Sequence, residues 1–139
     1  MRRRVSREQR ARLAARVAAL HSGVAHRRDL RAAGLSRHDV ASEVTAGRWR
    51  RAGRHTVVIG TGVPTGEALL WQAVWESGSG AVLDGVAALV ACGLTGFRPE
   101  VIDVALPSRS RGHALSGVRL RRRRELGPVS YTHLTLPTN

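Results

Sequence analysis

Arg48, Arg50, Arg51, Arg54 and His55 stand close together between Gly47 and Ile59, and they carry the strongest chemical signal in the sequence. A guanidinium is a permanent cation with N–H donors in a fixed fork. Several of them on a short segment suit phosphate oxygens, or the concentrated negative potential of a minor groove. The same residues also fit a plainer role, a charged β-edge that discourages sheet-to-sheet association. Other chemistry is poorly represented. Glu100 and Asp103 sit near a strand-like segment, but the chain has no lysine to complete the usual set of a metal-dependent nuclease, so no catalytic site and no enzyme activity is expected. His21, His26, His38, His55 and His113 share no ligand spacing with one another or with Cys92, so neither a metal nor a cofactor is expected. Cys92 is the single cysteine, which excludes an intramolecular disulfide, and its apolar neighbours predict a small buried hydrophobe. The glycine-rich GTGVPTG at 60–66 lacks the Lys-Ser/Thr ending of a phosphate loop and is read as a linker.

The composition agrees with the arginine cluster. The 139 residues carry 23 basic side chains, all of them arginine, against 10 acidic ones, for a formal charge of +13. A basic excess of this size implies a polyanionic partner, with nucleic acid the default. Part of the arginine content is also what a high-GC genome writes wherever codon choice is loose. The length gives room for one ordinary domain or two small ones. The start alternates arginine with alanine, unlike a signal peptide, and the longest apolar run, Gly85 to Leu94, falls short of the roughly 20 residues that span a bilayer. A cytoplasmic protein without a membrane partner is the expectation.

The elements that would position the arginines are set by periodicity and capping. Ser6 with Gln9 predicts a capping box and a first helix that turns Leu13, Val17 and Leu20 inward beside Ala14 and Ala18, and ends near Ser22 and Gly23. Its other face carries Arg7, Arg10, Arg12 and Arg16, which a solvated surface explains as well as DNA does. A second helix is predicted over Arg27–Ala33 with Leu30 inward, Gly34 as the turn and Leu35 closing it. Ser36 then caps a third helix, Arg37–Ala46, with Val40, Ala41 and Val44 buried and Gly47 as its end. Two helices joined by a tight glycine turn make a helix-turn-helix. Short strands at Arg48–Arg51 and Thr56–Ile59, bent at Gly53, make the following hairpin a wing with Trp49, Val57 and Ile59 inward.

In this arrangement His38, Ser42 and Thr45 lie opposite Val40 and Val44 and are the side chains positioned for base edges. Serine and threonine discriminate bases poorly, which leaves most of the affinity to the wing. Arg27, Arg28 and Arg37, at the starts of the second and third helices, complete the expected DNA-binding set with Arg48, Arg50, Arg51, Arg54 and His55.

Beyond a linker at Gly60, Gly62 and Pro64, a helix is predicted around Ala68, Leu69, Trp71, Gln72, Val74 and Trp75, its tryptophans one turn apart and in the core. A buried helix over Ala81–Leu94 comes next, then strands at Val101–Leu106 and Val118–Arg122 joined by the basic loop Ser108–Gly117. Arg119 to Arg124 either extend the basic surface or form a charged strand edge. The fold class expected is α+β, with a winged helix-turn-helix over 1–60 and a small mixed α/β unit over 61–128.

The run GVAHRRDLRAAGLSRHDVASEVTAGRWRRAGRHTVVI, Gly23 to Ile59, together with the later segments EALLWQAVW, GAVLDGVAALVACGL and IDVALP, resembles actinobacterial proteins of the AbiEi-family antitoxin type. The resemblance implies an autorepressor that binds operator DNA at its promoter, with a nucleotidyltransferase toxin as a possible cognate partner. Two other readings stay open: the DNA-targeting front of a restriction-endonuclease-like protein, and a toxin-binding module with incidental DNA affinity. The third helix departs from the relatives, which often have it strongly basic, by carrying Asp39 and Glu43. Asp84 and Gly85 stand where relatives tend to carry a Ser-His pair.

The closing VSYTHLTLPTN, Val129 to Asn139, breaks the composition: it holds the only tyrosine and no arginine. It resembles a translated transposon-end sequencing adapter and is set aside from the fold, the other reading being an ordinary polar tail. The adapter reading implies a natural chain that continues past Gly127.

Overall fold

The computed structural model describes residues 4–96, 100–113 and 115–124. The segment 129–139 lies outside the described residues. The chain is α+β, with five helices and two three-stranded sheets among the described residues. It divides into two compact units, the first ending at Ala68 and the second beginning at Leu69.

The first unit starts at the expected capping box: Ser6 Oγ accepts from the Gln9 N–H and Gln9 Oε1 from the Ser6 N–H, opening helix α1 (Arg7–Ala19). Ala14 and Ala18 are buried, with Leu13 and Val17 packed on the core. Leu20 corrects the expected stripe. The helix closes at Ala19 and the chain turns through Ser22 and Gly23, both at positive φ, so Leu20 is a 61% exposed cap. The next element is a strand that the sequence did not signal, β1 (Val24–His26), which leads directly into α2 (Arg27–Ala32).

Helix α2 ends in a Schellman closure: Gly34 N–H donates to Arg31 O, Leu35 N–H donates to Leu30 O, and Gly34 sits at φ +104. The two leucines bracketing this turn are essentially fully buried, worth about 1.5–3 kcal/mol each. Ser36 and Asp39 form a second capping box and start α3 (Arg37–Thr45), which ends the same way at Gly47, with Arg48 N–H donating to Glu43 O. Strands β2 (Arg50–Arg51) and β3 (Thr56–Val58) complete an antiparallel sheet in the order β1-β3-β2, with Ala25 and Arg51 both opposite Val57. The central strand β3 is buried at all three positions, and Trp49 and Val57 join Leu30, Leu35 and Val40 in one core with Ile59 packed against it.

The second unit contains α4 (Glu67–Ser77, from its third residue), β4 (Val82–Leu83), α5 (Gly85–Ala91), β5 (Ile102–Pro107) and β6 (Val118–Arg123). The sheet order is β4-β5-β6, with β4 antiparallel and β6 parallel to β5. Trp71 and Trp75 lie 5.5 Å apart between ring centroids, Trp75 buried and Trp71 packed against a core of Leu70, Leu83 and α5 alanines. The helix expected over 81–94 is corrected at its start: Val82 and Leu83 pair with β5, and the Asp84 carboxylate caps α5 by accepting the Gly85 N–H. Cys92 is exposed, not buried, because α5 ends at Ala91 and its buried stripe is Ala87, Ala88 and Ala91. No helix of the described residues is long and apolar enough to cross a membrane.

Candidate functional site

Helix α3 sorts its side chains by chemistry. Val40 is buried and Val44 packs on the core, as expected, but the third inward position is Glu43, 3% exposed, not Ala41, which is exposed. A carboxylate is tolerated there because two guanidinium groups meet it. Arg48 grips it from the C-terminal side with two hydrogen bonds, Nε to Oε2 at 2.5 Å and Nη2 to Oε1 at 3.1 Å. Arg10 approaches from α1 with Nε 3.0 Å from Glu43 Oε1, an ion pair by distance although the N–H is not aimed along it, and its Nη1 lies 3.6 Å from Asp39 Oδ1. The Arg48 hydrogen bonds outweigh burial and hold the Glu43 carboxyl below the usual carboxylate range. At Asp39 burial works against ionisation, yet the Ser36 backbone and hydroxyl hydrogen bonds together with Arg10 lower its pKa overall.

Both acidic groups of α3 are therefore engaged by the fold. The exposed side of the helix is left with Arg37, His38, Ala41, Ser42 and Thr45, a face without a carboxylate. His38, Ser42 and Thr45, the residues expected to point away from the core, all do so. Arg48, expected in the same DNA-binding set, stands before β2 and is bound to Glu43.

The hairpin and the start of α2 come together. Arg27 donates its backbone N–H to His55 O at 2.9 Å and its Nε to Arg54 O at 3.1 Å, fixing the helix start to the chain entering β3. The His26 and His55 rings stack with centroids 5.3 Å apart and planes 19° from parallel, while His26 Nδ1 accepts the Arg28 N–H and so caps α2. Arg27 and His55 are half-buried and act locally as a joint. Arg28, Arg50, Arg51 and Arg54 are exposed, and Arg51 Nε donates to Gly53 O at 3.2 Å, which steadies the hairpin bend.

Sequence reasoning missed the role of Arg10, which it placed with Arg7, Arg12 and Arg16 on a face open equally to solvent or DNA. Nothing local marks it, since its partners lie 29 and 33 residues away in the chain. The Arg48 clasp did have a signal, a carboxylate five residues before an arginine across a helix-ending glycine. In the second unit Asp103 is buried and held by Arg119 through two hydrogen bonds, which lower its pKa. Arg123 binds Asp84, and Arg122 donates to the carbonyls of Ser108 and Ser110. Glu100 is exposed, and no group of three metal-ligating side chains occurs among the described residues. The chain matches no model of a known protein family and no curated protein sequence.

Proposed function

We propose that the first unit is a winged helix-turn-helix that binds duplex DNA, and that the protein is a transcriptional regulator of the antitoxin-like, autorepressing kind, acting in the cytoplasm on its own promoter. One observation carries the reading. Arg10 and Arg48 draw both carboxylates of α3 inward, so the helix expected to enter the major groove presents Arg37, His38, Ala41, Ser42 and Thr45 without an opposing charge. The order α1-β1-α2-α3-β2-β3 around an antiparallel sheet supports it, since α2 and α3 then form the helix-turn-helix and β2–β3 the wing. Arg28 at the start of α2 and Arg50, Arg51 and Arg54 on the hairpin are the phosphate contacts. Arg37 and His38 supply most of the base discrimination that Ser42 and Thr45 lack. Arg48, Arg27 and His55 hold these elements in place and touch DNA little.

The test is binding of the full chain to DNA from upstream of its own reading frame and to scrambled DNA across a salt series, beside an Arg50, Arg51, Arg54 to Ala variant. Three lost phosphate contacts reduce the salt slope by about 2.7, at about 0.9 per contact. Preference for the native region with a shallower slope in the variant supports the reading. Equal, wing-independent binding to every sequence overturns it.

A further inference from the structure

An open groove of about 780 Å³ runs along α1 beside the α2–α3 turn. Its floor includes Val5, Leu13 and Gly34, and Arg4, Arg12 and Arg16 rise around it, with no carboxylate among the lining residues. Arg10, on the same helix, is taken up by Asp39 and Glu43, whereas Arg4, Arg12 and Arg16 make no ion pair among the described residues. The three uncompensated cations are not required by the core, which takes Ala14 and Ala18 and the inner sides of Val5, Leu13 and Val17 from this part of the chain.

We propose that this groove is a docking site for an acidic amphipathic helix of a protein partner. Charge complementarity sets the sign of the occupant, and spacing sets its form. Arg12 and Arg16 are one helical turn apart, about 6 Å along the axis, and a helix lying alongside α1 offers carboxylates at the same i, i+4 repeat. The floor gives its apolar face a place to go, the mode in which a helix anchors in a groove through i, i+3, i+4 and i+7 side chains. A sugar-phosphate backbone would satisfy the arginines but make no apolar contact with the outer surface of Val5 and Leu13, which the core covers only in part, and this favours a protein over nucleic acid. The site is separate from the α3 and hairpin residues and does not depend on their binding DNA.

The probe is a fluorescein-labelled 18-residue helical peptide with leucines on one face and glutamates along both flanks of that face. Its binding to the full chain is compared with a scrambled peptide of the same composition. The expected result is at least tenfold tighter binding of the amphipathic peptide. An Arg12→Glu, Arg16→Glu double variant should lose at least tenfold, and a peptide with lysine in place of glutamate should recover binding to that variant. Both substituted residues are exposed, but Arg16 is the basic residue of the last turn of α1, so the thermal melt falls by a few degrees while the protein stays folded at the assay temperature, and the charge-swap recovery separates lost docking from lost folding. Equal affinity for the scrambled peptide, or no effect of the double variant, overturns the proposal. So does a double variant that keeps the peptide and loses duplex DNA, since the groove would then belong to the nucleic-acid surface.

Discussion

Replacing Glu43 by glutamine removes one charge from the first unit with almost no change in volume, and the structure sets how much that costs. Truncating one partner of a buried ion pair typically costs about 3–5 kcal/mol, because the other charge is stranded out of water. Here the two guanidinium groups differ. Arg48 has 36% of its side chain exposed and rehydrates when released, whereas Arg10 at 13% cannot. Glutamine also keeps one carbonyl oxygen as an acceptor. The loss expected is about 2 kcal/mol, taking the lower end for hydrogen bonds to charged groups, which in a unit of this size lowers the melting temperature by about 8–16 °C. Unfolding followed through Trp49 fluorescence, in a Trp71→Phe, Trp75→Phe background, reports on the first unit. Because the Glu43 pKa is lowered in the fold, its contribution is fully present above the ordinary glutamate value of about 4.3 and is lost as pH falls through the folded value. The difference between parent and variant should therefore shrink below about pH 4. A Glu43→Gln protein within about 0.5 kcal/mol of the parent at pH 7, or a double-mutant cycle with Arg48→Met showing no coupling, would refute the clasp.

Caps, turns and the exposed face of α3 give three further expected outcomes. Ser36→Ala removes the hydroxyl that accepts the Asp39 N–H and should cost about 1 kcal/mol in urea unfolding, with Ser36→Asp close to neutral. Gly34→Ala meets open space but keeps φ near +104, so its cost of about 1–2 kcal/mol is backbone strain alone, and Gly34→Asn should lose less. Replacing His38, Ser42 and Thr45 together by alanine should leave the melting temperature and the salt slope of DNA binding unchanged while reducing the preference for the native region over scrambled DNA; a change of slope would mean that these side chains meet phosphates.

What the sequence disclosed was local chemistry. The capping box at Ser6, the N-cap at Ser36, the turn glycines at 34 and 47, and Leu30, Leu35, Val57 and Trp49 as core residues were all legible, because a cap or a turn is written within six residues; the reciprocal bond from Asp39 at the second cap was not read. Strand β1 was not, since Val24–His26 is too short to alternate and exists only by pairing with β3. The Ala81–Leu94 stretch read as one apolar helix because Val82 and Leu83 are as apolar as the α5 residues after them; only pairing with β5 makes them a strand. The same limit applies to the candidate site. Periodicity put His38, Ser42 and Thr45 on the outer face correctly, but gave the third inward place to Ala41. A buried glutamate is favourable only with Arg10 and Arg48 beside it, and the first of these comes from another helix.

The inward placement of Asp39 and Glu43 divides α3 into two sets of positions with different obligations. Substitutions at Asp39, Val40, Glu43 or Val44 disturb a cap, the core or an ion pair, so they are constrained by the need to stay folded. His38, Ala41, Ser42 and Thr45 are exposed and make no side-chain hydrogen bond or ion pair among the described residues. If α3 reads DNA as proposed, a lineage carrying this scaffold can exchange all four and acquire a new recognition preference while its stability stays level, and α3 is then a replaceable reading head on a fixed mount.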